Sequence, residues 1–479
     1  MNEASPIPLG EEAPAADTPQ EQAAARPAML GDLTKGPILK TLLLFSVPML
    51  LSNVLQTLNG SVNAIWVGRL LGEGALAATA NANIVMFLVF AAVFGFGMAT
   101  TVRVGQHFGA RDIEAARRTF GTGIGFCIVV SLVTAVVGWL GAEALLDALG
   151  TPAESRTDAL AYLRVIFVTL PLASVNMMVA MGMRGAGDSK TPLYAMILAV
   201  VLDIALNPLL IIGVGPLPTL GVAGSAIATA LANTAGMALQ FWVIYAKDLP
   251  LRLRGPEMGY LRPRGEDLRY VLAKGLPMGA QMLIVSSAGL VMVGLVNREG
   301  LNAAAAYGAS LQLWNYLQMP AFAIGSAVSA MVAQSLGAGD HSRVDKVTMT
   351  GLGANLVLST VLAALIVGFD RPLLALFLGG DSPAMPIAEH IQLICTASFV
   401  IVSVTMILTG TMRAYGAVAA PLVILFLGLY PGRLGFYYVA APYLGGDAVW
   451  WAYPVGSALT VAITLAYYRM GKWRDAFTG

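Results

Sequence analysis

Long apolar stretches broken by short polar ones fill the chain from about residue 40 almost to its end, and most run to about 20 residues or more. A helix of that length crosses a hydrocarbon core of roughly 30 Å. Twelve spans are predicted, at about 40–66, 75–100, 119–141, 158–182, 191–213, 220–246, 269–296, 302–331, 349–369, 387–411, 417–441 and 448–468. A spanning helix satisfies its own backbone hydrogen bonds, as lipid requires, so the pattern predicts an all-α membrane protein.

Against this apolar background the polar positions are informative through their spacing. In the first span Asn53, Gln56, Asn59 and Asn63 follow at intervals of three, three and four residues. They fall on one helical face. Such a face is costly against lipid, so it is expected to meet partner helices or a water-filled cavity. In the fifth span, Asp203 is the one acid of 27 near the middle of a predicted helix. Asn207 lies one turn further on, and Pro208 has no N–H to offer the carbonyl of Ile204. Burial disfavours a charged carboxylate, which suits Asp203 to exchanging a proton, with Asn63 and Asn207 as neutral partners. The same oxygens would also ligate sodium. Protons are preferred because one carboxylate suffices for them, and no cofactor is expected.

The chain nearly repeats itself about 229 positions on. QHFGARD (Gln106 to Asp112) matches QSLGAGD (Gln334 to Asp340), and Met183, Arg184, Gly187 and Pro192 recur as Met412, Arg413, Gly416 and Pro421. Each copy holds six spans, so both run in the same direction and are related by a pseudo-twofold along the membrane normal. Parallel repeats of this kind place a substrate pathway between two halves that rock against each other. The repeat also works as an internal control. Asn53, Gln56, Asn59 and Asn63 correspond to Met282, Val285, Ala288 and Met292, and Asp203 and Asn207 to Gly432 and Phe436. Every polar position is lost in the second copy, which assigns the coupling chemistry to the first.

Composition supports the membrane reading: 57% of residues are hydrophobic and 11% charged, with a mean hydropathy of +0.73. Soluble chains carry roughly a quarter charged residues. The net charge of +1 gives no support to nucleic-acid binding. With the N-terminus in the cytoplasm, 22 of the 28 Lys and Arg fall on that side, leaving Arg69, Arg156, Arg164, Arg298, Arg371 and Arg433 outside or near it. The positive-inside rule then sets both termini in the cytoplasm. Residues 1–30, rich in Ala, Pro, Glu and Gln, read as a disordered tail. Residues 31–247 form the first lobe and 269–479 the second. The charged stretch 248–268 between them reads as an irregular cytoplasmic linker touching lipid headgroups.

Enzymatic alternatives find no footing. GAGDSKT (Gly185 to Thr191) lacks the Gly before Lys of a phosphate loop and follows no strand. It reads instead as a turn, with Asp188 capping the next helix and Pro192 in its first turn. GTGIG (Gly121 to Gly125) reads as close helix packing. His107, His341 and His390 lie in loops or at span ends, Cys127 and Cys395 fall in different spans, and neither HExxH nor GxSxG occurs. No catalytic or metal-ligating residue is assigned.

The segments Pro48 to Ala78, the two QxxGAxD loops, Arg184 to Pro192 (RGAGDSKTP) and Gly221 to Thr229 (GVAGSAIAT) resemble the multidrug and toxic compound extrusion (MATE) transporters. The resemblance covers the chain from about Leu33 to Tyr468. It implies twelve helices in two lobes and cation-coupled efflux of amphipathic, often cationic compounds, here from a bacterial inner membrane. Where the family commonly has an aspartate this chain has Asn63, and the family's Asn-x-x-x-Asp of helix five is exchanged to Asp203-x-x-x-Asn207. The substrate cavity is expected to take Asn53, Gln56 and Asn59 from the first lobe. The second lobe would supply Met278, Met282, Met292, Tyr307, Trp314, Asn315, Gln318 and Met319, because Met adapts to varied apolar ligands and aromatic faces hold cations. The expected function is antiport of small organic substrates with protons or sodium by a monomer surrounded by lipid. The alternative is a flippase of the same broad superfamily moving lipid-linked saccharides or cell-wall precursors. Such a flippase would want a basic central cavity, and the sequence shows no intramembrane cluster of Lys or Arg.

Overall fold

The computed structural model describes residues 31–148, 153–215 and 218–477. The expected tail, 1–30, lies outside the described residues. In chain order the helices are α1 (Ile38–Leu71), α2 (Glu73–Gly109), α3 (Ile113–Ala148), α4 (Ala153–Gly185), α5 (Lys190–Ile212), α6 (Gly221–Ala246), α7 (Gly265–Arg298), α8 (Leu301–Gly337), α9 (His341–Gly368), α10 (Asp370–Leu378), α11 (Met385–Ala414), α12 (Ala419–Leu427), α13 (Phe436–Leu444) and α14 (Asp447–Met470). Among the described residues twelve helices are long and apolar enough to cross a membrane, with α12 and α13 joined through a π-helical stretch, Gly428–Gly435, into one of them. All twelve predicted spans are present. Most run a turn or more past their predicted ends, because helical hydrogen bonding continues into charged segments beyond the apolar window. α2, for example, reaches Gly109 through Arg103 and Gln106.

Aspartates cap the starts of α3, α5 and α9. Asp188 accepts from the N–H groups of Lys190 and Thr191, both at 3.0 Å, and so caps α5. Asp112 accepts from Ala115 N and its counterpart Asp340 from Arg343 N, each at 2.9 Å, at the starts of α3 and α9. Each bond satisfies a donor that the first helical turn leaves free. Gly187 turns the chain at φ 81° and Gly416 at 83°, in the left-handed region that a side chain disfavours.

The lobes meet mainly through α2 against α7 and α8, and α1 against α8. Their contact is concentrated at the end that carries residues 31–37 and Trp473. One core there joins both lobes, with Leu42, Phe45, Met49, Met98 and Val102 of the first packed with Met278, Ala327, Met331 and Met412 of the second. Small residues allow the close approach: a Cβ on Gly95 of α2 would stand 2.4 Å from the Gly275 carbonyl oxygen of α7. At the opposite end each lobe has its own core, around Leu163 and Phe167 in the first and around Trp314 and Trp450 in the second. The molecule is therefore sealed at one end and divided at the other.

The seal is reciprocal. Gln106 Nε2 donates to the Ala414 carbonyl at 2.7 Å, and Gln334 Nε2 donates to the Gly185 carbonyl at 3.0 Å. Gln334 is the repeat of Gln106, and Ala414 is the repeat of Gly185. Both glutamines are buried. A Cβ on Gly109 would stand 1.9 Å from Gln334 O, and one on Gly337 1.8 Å from Gln106 O, so each loop lies directly on its counterpart's backbone.

The linker differs from the sequence expectation. Gly255–Leu261 forms a 3-10 helix laid on α3, and α7 begins at Gly265, inside the stretch expected to be irregular. Its first turn holds Glu266 and Asp267, which suit the positive end of a helix but lower the local hydropathy. Arg117 Nη1 meets Glu257 at 2.8 Å, and Arg118 Nε and Thr119 Oγ1 meet Asp267 at 2.8 and 2.7 Å. The GTGIG glycines receive this linker: a Cβ on Gly125 would stand 1.7 Å from the Leu261 carbonyl oxygen. The short α10 was not expected from the sequence, since its nine residues are too few to register as a span.

Candidate functional site

Asp203 and Asp267 are the buried carboxylates among the described residues. Asp267 is paired with Arg118, whereas Asp203 is held by neutral donors alone. Asn59 Nδ2 and Asn63 Nδ2, from α1, reach its Oδ2 at 2.7 and 2.9 Å. Asn207 Nδ2, one turn along α5, reaches Oδ1 at 3.0 Å. The hydroxyl of Thr229, on α6, stands 3.1 Å from both oxygens. Asn63 Oδ1 accepts in turn from Asn207 Nδ2 at 2.9 Å. Three helices are thus fastened to one carboxylate.

Asn63 meets the Asp203, Asn207 pair, as the sequence reading expects. Asn59, placed in the substrate cavity by the sequence reading, binds the carboxylate instead. Thr229 was not singled out, and its membership of GVAGSAIAT was the available signal. Two amide oxygens, Asn59 Oδ1 and Asn207 Oδ1, are buried without a hydrogen-bond partner.

A cavity lies between the lobes near the joined core. Phe45, Met49 and Asn53 of α1, Phe94, Met98 and Thr101 of α2, Met181 and Arg184 of α4, and Phe322, Ser326 and Ala330 of α8 line it. Asn53 lines this cavity, and Gln56, further along α1, is exposed.

The second-lobe residues expected in the substrate wall separate into groups. Met278 belongs to the core that joins the lobes. Met292, Tyr307 and Trp314 lie in the second lobe's own core, which corrects their placement on a shared wall. Trp314 Nε1 donates to Gln392 Oε1 at 3.1 Å and the Tyr307 hydroxyl bonds that of Tyr453, so both polar tips are satisfied within the lobe. Met282, Gln318 and Met319 are half-buried and Asn315 is exposed. Helical spacing places residues on a common face without saying which lobe that face meets.

The stretch of the second lobe equivalent to the Asp203 region is the π-helical Gly428–Gly435. It carries Arg433, whose guanidinium sits 4.2 Å from the centre of the Tyr453 ring. Corresponding regions of the two lobes therefore carry an acid, Asp203, and a base, Arg433.

The MatE family matches residues 48–209 and, separately, 277–439, two segments whose starts are one repeat apart. The chain belongs to the MATE family. It is a multi-pass membrane transporter and not an enzyme. This MATE chain is 33% identical over 438 residues to the probable multidrug resistance protein YoeA of Bacillus subtilis (strain 168), covering 91% of this chain and 94% of that protein. It is 29% identical to the probable multidrug resistance protein YpnP of the same organism, over 92% and 97%. Its fold resembles a structure described as the outward-facing conformation of a multidrug resistance MATE family transporter, with a TM-score of 0.85 at 21% identity over 94% of this chain and 99% of that one.

Proposed function

We propose that this MATE transporter exports amphipathic organic compounds from a bacterial cell by antiport with protons, and that Asp203 is the group that takes up and releases the proton. The sealed end, which carries residues 31–37 and Trp473, faces the cytoplasm in this reading, and the divided end faces outward. The relatives named for multidrug resistance support export.

One observation carries the proposal: a buried carboxylate, free of any cationic partner among the described residues, is the meeting point of α1, α5 and α6. Asn59 and Asn63 both donate to Oδ2. An ionised carboxylate is an acceptor only, whereas its protonated form carries a donor. A proton on Oδ2 would face two amide N–H groups, with the Thr229 hydroxyl as the acceptor at hand, and the protonated oxygen is a weaker acceptor for both amides. α1 then loosens from α5. The same helix lines the inter-lobe cavity through Phe45, Met49 and Asn53. Pro48 interrupts its hydrogen bonding between these residues and allows it to bend. Protonation is thereby communicated to the substrate.

Sodium is the second reading, favoured by the two unpartnered amide oxygens beside the carboxylate. Hard cations of this kind take oxygen ligands, and turning Asn59 or Asn207 would leave room for one. A pair of assays on dye-loaded proteoliposomes separates the readings, varying sodium at fixed pH and then pH without sodium. Efflux driven by a pH gradient in sodium-free buffer is the expected result. Efflux that requires sodium and ignores pH would overturn the proton reading.

A further inference from the structure

We propose that the inter-lobe cavity receives the anionic group of an amphipathic organic substrate, a carboxylate, sulfonate or phosphate, on the guanidinium of Arg184. The proposal rests on the transport reading above and names its substrate class.

Arg184 stands in the last turn of α4 and lines the cavity between the lobes. Its Nε is shut off from solvent and has no hydrogen-bond partner. The polar contact of its Nη1 is the thioether of Met181, at 3.9 Å. Arg184 takes part in none of the ion pairs among the described residues. A guanidinium stays charged in any protein setting; Arg184 is half-buried, and a charge that loses part of its hydration without gaining a partner is costly to the fold. A ligand that brings the missing negative charge removes that cost and gains charge-assisted hydrogen bonds.

The remaining lining decides what else the ligand is. Asn53, Thr101 and Ser326 are neutral, and among the described residues no acid lines the cavity and the one charged lining residue is Arg184. Asp203 is elsewhere and already holds its donors. The rings of Phe94 and Phe322, one from each lobe, pack against each other at 6.1 Å and make part of the cavity wall apolar. A cation in this cavity would meet like charge. The site also adjoins the seal, since the Gly185 carbonyl next to Arg184 accepts from Gln334. An anion held here would lie beside the contact that must break for the cytoplasmic end to open.

Two xanthene dyes test the class, the anionic fluorescein and the cationic rhodamine 123. Their binding to purified full-length protein is read by fluorescence polarisation, independently of any ion gradient. Fluorescein is expected to bind more tightly than rhodamine 123. Arg184→Gln should weaken fluorescein by about tenfold or more, the worth of a charge-assisted bond, while rhodamine 123 stays within about twofold. Arg184→Lys, which keeps the charge and loses the fork, should fall between. Tighter binding of rhodamine 123 by the unaltered protein would overturn the proposal without any variant, and so would equal weakening of both dyes in a folded Arg184→Gln protein. A third arm uses labelled phosphatidylglycerol in proteoliposomes. Its movement between leaflets, with fluorescein unbound, would place the anion on a lipid and overturn a soluble substrate. Failure of either dye to move under a pH or sodium gradient bears on the antiport reading, and the binding arms still report the charge preference.

Discussion

The side-chain amide of Asn59, on α1, donates to Oδ2 of Asp203, on α5, at 2.7 Å, across 144 positions of the chain. It is the shortest of the bonds that fasten the two helices at this carboxylate, and it links the buried acid to the helix that also lines the inter-lobe cavity.

Asn63 stands where the family commonly has an aspartate, and its amide lies 2.9 Å from Asp203 Oδ2. Asn63→Asp would set two carboxylates in contact, and like charges so close share a proton rather than both ionise. Efflux measured against pH in proteoliposomes should keep its proton dependence with the midpoint moved toward higher pH. An unchanged profile in a folded variant would separate Asn63 from the coupling site.

Thr229 offers one hydroxyl to both oxygens of Asp203, at 3.1 Å. Thr229→Val keeps the shape and removes the donor, and leaving the buried carboxyl oxygens without it costs about 1–3 kcal/mol. The expected outcome is efflux that saturates at a different pH with little change in dye affinity, read by pH titration alongside fluorescence polarisation.

The reciprocal seal should set the balance between the two ends. Removing both Gln106 and Gln334 by alanine substitution breaks the reciprocal bonds of 2.7 and 3.0 Å, and with them the bonds from Leu33 N to Gln334 Oε1 at 2.9 Å and from Gln334 Nε2 to the Gly31 carbonyl at 3.3 Å. Buried hydrogen bonds are worth about 0.5–1.5 kcal/mol each, enough together to shift a two-state equilibrium by roughly tenfold. Spin labels on the two loops, read by electron–electron distance measurements, should show a larger population of separated loops. Gly109→Val should do the same by steric collision.

Trp314 tests the placement of the second-lobe aromatics. It is fully buried among that lobe's own helices and its indole N–H is bonded to Gln392. Trp314→Ala should lower stability by about 3–5 kcal/mol in thermal unfolding. Among the molecules that still fold, the relative affinities for different dyes should be unchanged.

These residues also show what the sequence conveyed. The spans follow directly from apolar runs, and the α1 face and the Asp203, Asn207 pair were legible because a polar group in an apolar helix has few innocent explanations. Thr229 was not, since a threonine hydroxyl is readily satisfied by its own helix, as Thr234 is by the Ala230 carbonyl. Arg184 falls just past the predicted end of its span, at residue 182, but the helix continues to Gly185 and Arg184 lines the cavity. Trp314 and Tyr307 had a face but no partner, and only the packing assigns them to their own lobe.

The central claim is that the proton is carried by Asp203. It is tested most directly by loading proteoliposomes with dye, imposing a pH gradient in sodium-free buffer, and comparing the unaltered protein with Asp203→Asn. The amide is the same size as the carboxyl group, so the variant should fold and bind dye. Its gradient-driven efflux should fall to the level of protein-free vesicles. Full gradient-driven efflux by Asp203→Asn would contradict the account.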